Sequence, residues 1–216
     1  LNSTNHRRIS RLYGRRWDYH YVVTKLRTDP LYATVLGQLR DSSLPLLDLG
    51  CGLGLLALCL REAGSQVPIR GLDYDPRKIQ GAIAAARRSG HSGLDFATHD
   101  ARDGLPEHSG NVTILDILQF FSSDQQANLL VAAAERVAPG GKLVIRSGLK
   151  DQSWRFRMTV AGDWVAKASA WMKAAPSHYP SAQDFRRILG TRGNVNIFPL
   201  WGRTPFNNHL IVMEKP

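Results

Sequence analysis

The sequence predicts an α/β protein, a parallel sheet flanked by helices, and three observations carry that reading. Short apolar runs alternate with helix-length patterns along most of the 216 residues, the rhythm that sets successive strands side by side in one direction. One of those runs leads straight into a cluster of glycines and then a helical pattern, the kind of junction at which open α/β sheets bind ligands. Hydrophobic residues make up 43% and charged residues 21%, enough for one sizeable core and incompatible with a chain disordered as a whole.

The elements follow in order. At the amino end Ile9, Tyr13, Trp17 and Tyr21 recur every four residues while Arg7, Arg8, Arg11 and Arg15 occupy other faces, which predicts one amphipathic helix within a helical cap over 1–40. Strands are expected at 44–49, 67–72, 94–97, 112–117, 142–146, 195–199 and 208–213. Helices are expected at 53–63, closed by Gly64, at 76–88, opened by Pro76 and closed by Gly90, and at 123–137, where Ser122 and Gln125 form a capping-box pattern. The segment 148–181 is too long for an ordinary loop, and Trp164, Ala168 and Trp171 are spaced for one helix face, so a helical lid is expected there. The chain thus divides into a cap (1–40), a ligand-binding core (41–147), the lid (148–181) and a last helix with a carboxyl-terminal strand pair (182–216), all in one domain.

No stretch approaches the roughly 18 apolar residues of a membrane span, and residues 1–10 are polar and basic rather than signal-like, so a cytoplasmic protein is expected. Cys51 and Cys59, the only two cysteines, lie in one apolar run and fit neither a disulfide framework nor a paired-cysteine metal site. The net charge of +10 is uneven: residues 1–40 carry +6, 41–145 carry −3 and 146–216 carry +7. Basic flanks around an acidic middle suit an anionic partner, whether nucleic acid, acidic protein or small anion, and equally a solvated basic surface.

The most informative stretch is Leu46-Leu47-Asp48-Leu49-Gly50-Cys51-Gly52-Leu53-Gly54. Glycines there let the backbone turn with positive φ and approach a ligand with no Cβ in the way, and the following helix offers free amides. Asp73, nineteen residues after Gly54 at the end of the next strand, is placed to take the hydroxyls of a ribose. The dinucleotide pattern Gly-x-Gly-x-x-Gly is not matched, because the third glycine arrives one residue early.

With its acidic residue and alternating glycines, Asp48-x-Gly50-x-Gly52-x-Gly54 resembles the first motif of the class I S-adenosylmethionine-dependent methyltransferases. The resemblance continues through Gly71-Leu72-Asp73-Tyr74-Asp75-Pro76, Thr98-His99-Asp100-Ala101, Leu115-Asp116-Ile117-Leu118 and Ala138-Pro139-Gly140-Gly141-Lys142-Leu143, and covers about residues 44–147. It implies a Rossmann-like, mostly parallel seven-stranded sheet and S-adenosylmethionine as cofactor, with S-adenosylhomocysteine as product. By the same resemblance Gly50, Cys51, Gly52 and Gly54 surround the methionine part, Asp48 orders the loop and the cofactor's amino group, and Asp73 holds the ribose. Tyr74 lies against the adenine, with Asp100 and the Ala101 amide at its edge. Capping a turn is the alternative role for Asp100, and packing the alternative for Tyr74.

The fourth-strand motif Leu115-Asp116-Ile117-Leu118-Gln119-Phe120-Phe121 lacks the proline pair of base-amine methyltransferases, and neither cysteine lies where a cytosine carbon-5 enzyme keeps its nucleophile. Arg146-Ser147-Gly148-Leu149 lacks the acidic-amide pair of metal-dependent catechol enzymes. What remains resembles the small-molecule branch, and implies an aromatic or anionic acceptor. A second resemblance, through residues 114–119, 145–148 and Ser153-Trp154-Arg155-Phe156-Arg157, is to methyltransferases of bacterial aryl-polyene pigment synthesis. It implies an acceptor tethered to an acidic acyl carrier protein, for which the basic flanks would serve as a dock.

Tyr13, Trp17 and Tyr21 from the amino-terminal helix, with Trp154, Arg155, Arg157 and Tyr179 from the lid, are the expected acceptor-binding side chains. Their rings suit a flat molecule and their guanidinium groups an anion, although an aromatic stripe at helical spacing also serves as core packing. His178 and Asp116 are the candidate catalytic groups, Asp116 also a cofactor contact, with His20 a rival base. Two other functions stay open: an RNA-modifying methyltransferase, suggested by 21 arginines and a basic amino-terminal helix, and a non-catalytic cofactor-binding protein.

Overall fold

The computed structural model of the chain describes residues 3–168 and 177–216. Three helices come first: α1 (Ser3–Arg11), α2 (Arg16–Thr28) and α3 (Leu31–Leu39). The single amino-terminal helix expected from the apolar spacing is therefore two helices. Gly14 lies in the break, where low helix propensity lets the chain turn. Tyr13, also in the break, buries its ring and donates its hydroxyl to the Leu53 carbonyl at 2.9 Å. At the next junction Asp29 Oδ1 accepts the Leu31 amide at 3.0 Å and so starts α3.

The sheet contains β1 (Leu46–Leu49), β2 (Ile69–Asp73), β3 (Leu94–Thr98), β4 (Asn111–Leu115), β5 (Lys142–Gly148), β6 (Asn194–Pro199) and β7 (Asn208–Glu214). The helices among them are α4 (Leu55–Glu62), α5 (Pro76–Ser89), α6 (Ser123–Glu135), α7 (Trp154–Ala168) and α8 (Ala182–Leu189). Strand order is β3-β2-β1-β4-β5-β7-β6. All neighbours are parallel except β7, which runs antiparallel to both β5 and β6. The fold is the expected Rossmann-like α/β class, with strand ends within two residues of the sequence expectation.

A period of two along the strands separates two cores, because successive side chains point to opposite faces. Leu47 and Leu49, Ile114, Leu143 and Ile145, Ile211 and Met213 pack with α6 and α8. Leu46, Val144, Leu210 and Val212 pack on the other face with α1 to α5. The chain builds outward from β1 to β3 and then returns to β4, so the order reverses between β1 and β4 and opens a crevice at the strands' carboxyl ends.

At the opposite edge of the sheet, in the last turn of α4, the Arg61 guanidinium donates to the carbonyls of Ser65 (2.9 Å), Val67 (2.7 Å), Ser92 and Gly93 (3.1 Å each), tying the helix end to the loops that lead into β2 and β3. The insertion carrying α7 is pinned at both ends. Asn207 donates to the Leu149 carbonyl at 2.8 Å, the Ser177 amide to Gln119 O at 2.7 Å, and Gln126 to the His178 carbonyl at 2.9 Å. Trp171 lies outside the described residues, and so do the side chains of Trp164 and Ala168. Among the described residues no helix is long and apolar enough to cross a membrane.

Candidate active site

The crevice is a cavity of about 790 Å³, floored by the β1–α4 turn and the ends of β2, β4 and β5. Gly50, Gly52 and Gly54 have φ of 76°, 56° and 72°, the left-handed region that side chains resist. Gly50 and Cys51 donate their amides to the Leu72 carbonyl at 2.7 and 3.0 Å, which holds the turn against β2. A Cβ on Gly54 would meet the Phe96 ring at 2.8 Å, so that glycine serves packing and faces the core. Gly52 differs: it lines the cavity, and a Cβ there would meet nothing within 4 Å. Its backbone is bared to whatever fills the crevice.

Two buried carboxylates lie beside the turn. Asp73, buried at the end of β2, accepts the Gly52 amide on Oδ2 at 3.0 Å and the Asp75 amide on Oδ1 at 2.9 Å. Each oxygen keeps a lone pair for a ligand hydroxyl. Asp48, 2% exposed, accepts from the Thr113 hydroxyl at 2.7 Å. Burial pushes its pKa up to about 6, against the opposing pull of that hydrogen bond. Burial likewise raises the Cys51 thiol, keeping it a packed thiol rather than a nucleophile. Tyr74, Asp100 and Ala101 line the same end of the cavity. Asp100 also caps a short turn by accepting the Arg102 amide at 3.0 Å and pairs with the Arg102 guanidinium at 2.9 Å.

The other end of the cavity is lined by Tyr21, Lys25 and Tyr32 from the cap, Asp116, Arg146, and Thr159, Gly162, Tyr179, Phe206 and Asn208 around the insertion. Asp116 has φ 61°, the one non-glycine residue in positive φ among those described, and the adjoining Ile117 packs on Gly50. A residue held in that sparsely populated region marks a place where the fold over-determines the backbone. Asp116 contacts Arg146 Nε at 3.1 Å and Lys25 Nζ at 3.8 Å. Asp29 receives Arg146 Nη1 at 2.6 Å and Lys25 Nζ at 2.8 Å.

These four charges sustain one another. Burial opposes the Asp29 charge, but Arg146 and Lys25 outweigh it and lower the pKa of that carboxyl. Burial opposes the Lys25 ammonium as well, and Asp116, Tyr21 and Asp29 outweigh it in raising its pKa.

Of the residues expected from sequence, the cavity brings together Asp48, Gly50, Cys51, Gly52, Asp73, Tyr74, Asp100, Ala101, Asp116, Trp17, Tyr21 and Tyr179. Others are placed elsewhere. Tyr13 is 5% exposed in the core. Trp154 is exposed, and the Arg155 guanidinium sits between the Trp154 and Trp201 rings at 4.8 and 4.5 Å while donating to the Thr204 carbonyl at 2.7 Å. That stack docks the start of α7 on the β6–β7 connection instead of presenting a cation to the cavity. Arg157 and His20 are exposed and outside it, and His178 lines a separate small cleft with Lys150, Asp151 and Asp184.

Lys25, Asp29, Tyr32, Arg146, Phe206 and Asn208 were not anticipated. A signal existed for some of them: Arg146 interrupts an apolar strand, where a charge needs a partner, and Lys25 and Asp29 stand four residues apart on one helix face.

A sequence profile described as a methyltransferase domain matches residues 40–189. The ribosomal protein L11 methyltransferase of Azotobacter vinelandii is 32% identical over 120 residues, 56% of this chain and 39% of that protein. Its counterpart from Shewanella piezotolerans is 31% identical over 148 residues, 68% of this chain and 44% of that protein. The chain therefore spans about two fifths of the length of these relatives. Among solved structures, the magnesium protoporphyrin IX methyltransferase of Synechocystis PCC 6803, with S-adenosylhomocysteine bound, superposes with a TM-score of 0.65 at 19% identity, over 100% of this chain and 96% of that one. An O-methyltransferase family 2 protein from Planctomyces limnophilus, in complex with apigenin, gives 0.66 at 20% identity, over 92% and 61%. At such identities the shared property is the fold.

Proposed function

From the premise that this chain belongs to the class I S-adenosylmethionine-dependent methyltransferases, we propose that its acceptor is a small, flat molecule bound in the far half of the cavity. The observation that carries this reading is the continuity of a single space of about 790 Å³ from Gly52 and Asp73 to Tyr21, Tyr179 and Phe206. That volume lies in the upper part of the range of small-molecule sites, about 300–1,000 Å³, which leaves room for donor and acceptor together. Aromatic rings from the cap and from around the insertion suit a planar partner.

The crevice residues fit the donor. The open space beside Gly52 admits close backbone approach, and Asp73 offers lone pairs to ribose hydroxyls. Asp48 stands behind the turn, Tyr74 and Asp100 flank the adenine end, and Asp116 stands where the two halves meet. The donor, when bound, supplies a methyl carbon on a sulfonium, an already activated electrophile. The work left to this chain is to align the acceptor, exclude water and handle any proton the acceptor loses.

A second reading, methylation of a protein, is supported by the similarity to the L11 methyltransferases. The exposed arginines of the cap keep an RNA or an acidic carrier protein as further acceptor-bearing partners. One experiment separates them: the purified chain is given methyl-labelled S-adenosylmethionine with, in parallel, phenolic small molecules, the same molecules on an acyl carrier protein, ribosomal protein L11, and rRNA fragments. Label in a free small molecule is the expected result. Label confined to the protein or RNA arm refutes the small-acceptor reading.

A further inference from the structure

The acceptor half ends at the four charges, and they are unequally engaged. Asp29 is committed: Oδ2 receives Arg146 Nη1 at 2.6 Å and Lys25 Nζ at 2.8 Å, and Oδ1 receives the Leu31 amide. Asp116 is loosely held. Its Oδ2 lies 3.8 Å from Lys25 Nζ, and its Oδ1, although 3.1 Å from Arg146 Nε, is not aligned with that N–H, which is buried without a hydrogen-bond partner. The Arg146 side chain is 7% exposed, so this donor has no water to turn to, whereas the Asp116 side chain is 35% exposed and lines the cavity. A buried donor without a partner is destabilising. Asp116, with the Lys25 ammonium beside it, is thus the part of the cluster left open to a ligand from the cavity.

The charge balance says which ligand. Two cations already face two carboxylates, so the cluster has no net positive charge to recruit a further anion, while it retains N–H donors and a carboxylate with spare lone pairs. A neutral group that both accepts and donates is matched to it.

We infer that Lys25, steered by Asp29, and Asp116 together read a hydroxyl on the acceptor, which makes the acceptor class a hydroxylated planar ring. The hydroxyl oxygen accepts from the Lys25 ammonium, and its hydrogen is donated to Asp116. As methyl moves, the proton passes to Asp116, an oxygen lone pair forms the bond to the methyl carbon, and the carbon–sulfur pair stays with sulfur as a neutral thioether. Lys25 is here a specificity residue delivered by the cap, which explains why α2 is moored to β5 through a buried ion pair rather than by apolar contacts alone. The inference rests on the small-acceptor reading of the cavity.

The test uses the whole chain saturated with S-adenosylhomocysteine and three probes: 4-methylphenol, its methyl ether 4-methylanisole, and 4-methylbenzoate. A phenol titrates near ~10, so it is neutral at neutral pH. Calorimetry should show 4-methylphenol binding about tenfold tighter than the ether, the value of one hydrogen bond to a charged group, with the benzoate weaker than the phenol. Asp116→Asn should shrink the preference to about twofold or less, whereas Lys25→Met should weaken phenol and ether alike by about fivefold or more, because both oxygens accept from the ammonium, and Lys25→Arg should keep both affinities. Circular dichroism and a cooperative thermal transition like those of the wild type should report an intact fold in every variant.

Equal binding of phenol and ether to the wild type, tightest binding of the benzoate, a preference that survives in Asp116→Asn, or unchanged affinity for both phenol and ether in Lys25→Met overturns the inference and leaves the small-acceptor reading standing. If none of the three probes binds while S-adenosylhomocysteine does, the small-acceptor reading itself fails and takes the inference with it. Should Lys25→Met fail to fold, Asp116→Asn decides alone.

Discussion

Replacing Asp48 by Asn should make the ligand-free protein more stable and the cofactor complex weaker. The carboxyl is 2% exposed, it accepts from the Thr113 hydroxyl, and burial lifts its pKa from 3.8 to about 6. An acid whose pKa is raised on folding prefers its protonated form in the native state. Stability therefore falls as pH rises from about 4 to about 6, the window in which the folded chain holds a proton that the unfolded chain has released, and stays at the lower level above it. A shift of about two pKa units corresponds to about 3 kcal/mol at about pH 8, an order-of-magnitude figure. Asn keeps an oxygen for the Thr113 hydroxyl and removes the buried charge. Urea denaturation of the ligand-free variant should thus show a gain of about 1–3 kcal/mol at about pH 8 that vanishes near about pH 4. On the proposed role of this carboxylate toward the donor's amino group, calorimetry with S-adenosylhomocysteine should show at least about tenfold weaker binding. A variant that is less stable than wild type at about pH 8 would refute the claim that Asp48 is a strained charge kept for binding.

Gly52→Ala should separate strain from occupancy: a Cβ there meets nothing within 4 Å, so thermal stability falls only by the left-handed backbone cost of about 1–2 kcal/mol, while S-adenosylhomocysteine affinity falls about tenfold or more by calorimetry. Asp29→Asn should cost about 3–5 kcal/mol in denaturant unfolding, because it leaves the buried Arg146 side chain without its 2.6 Å partner. The double variant Asp29→Leu with Arg146→Met should recover much of that loss, and simple additivity of the two single effects would refute the pairing. Since the Asp29 pKa is lowered on folding, its stabilising contribution is present above the ordinary Asp value and is lost as pH falls through the lowered one, so Asp29→Asn should resemble wild type most closely in strong acid. Arg61→Ala strips the donors from four loop carbonyls and should cost about 3 kcal/mol or more, with hydrogen exchange accelerated first in the loops at 64–68 and 91–93.

Legibility in the sequence followed the range of the interactions. The glycine turn, the capping box at Ser122 and the proline start of α5 are local events, each written in a few adjacent residues, and all are where the pattern placed them. The strands were legible for a related reason: β1, β4 and β5 are buried on both faces, and such strands read as short continuous apolar runs. The break at Gly14 was hidden because a four-residue apolar spacing continues through it. Tyr13 keeps the register of a helix while ending one, because its hydroxyl is drawn to the Leu53 carbonyl forty residues away.

The acceptor end of the cavity was the least legible part, and the cause is physical. It assembles positions 25, 29, 116 and 146 from three separated stretches, and none carries a local pattern for a binding site. The lid showed the opposite failure. Trp154 and Arg155 look like a ligand-facing pair, yet a guanidinium stacked between two indoles and bonded to a carbonyl is satisfied within the protein. A charged side chain is available to a ligand only when the fold leaves it loosely engaged beside the cavity, as it does Asp116 and not Arg155. Composition counts charges alike; the accounting of their partners tells them apart.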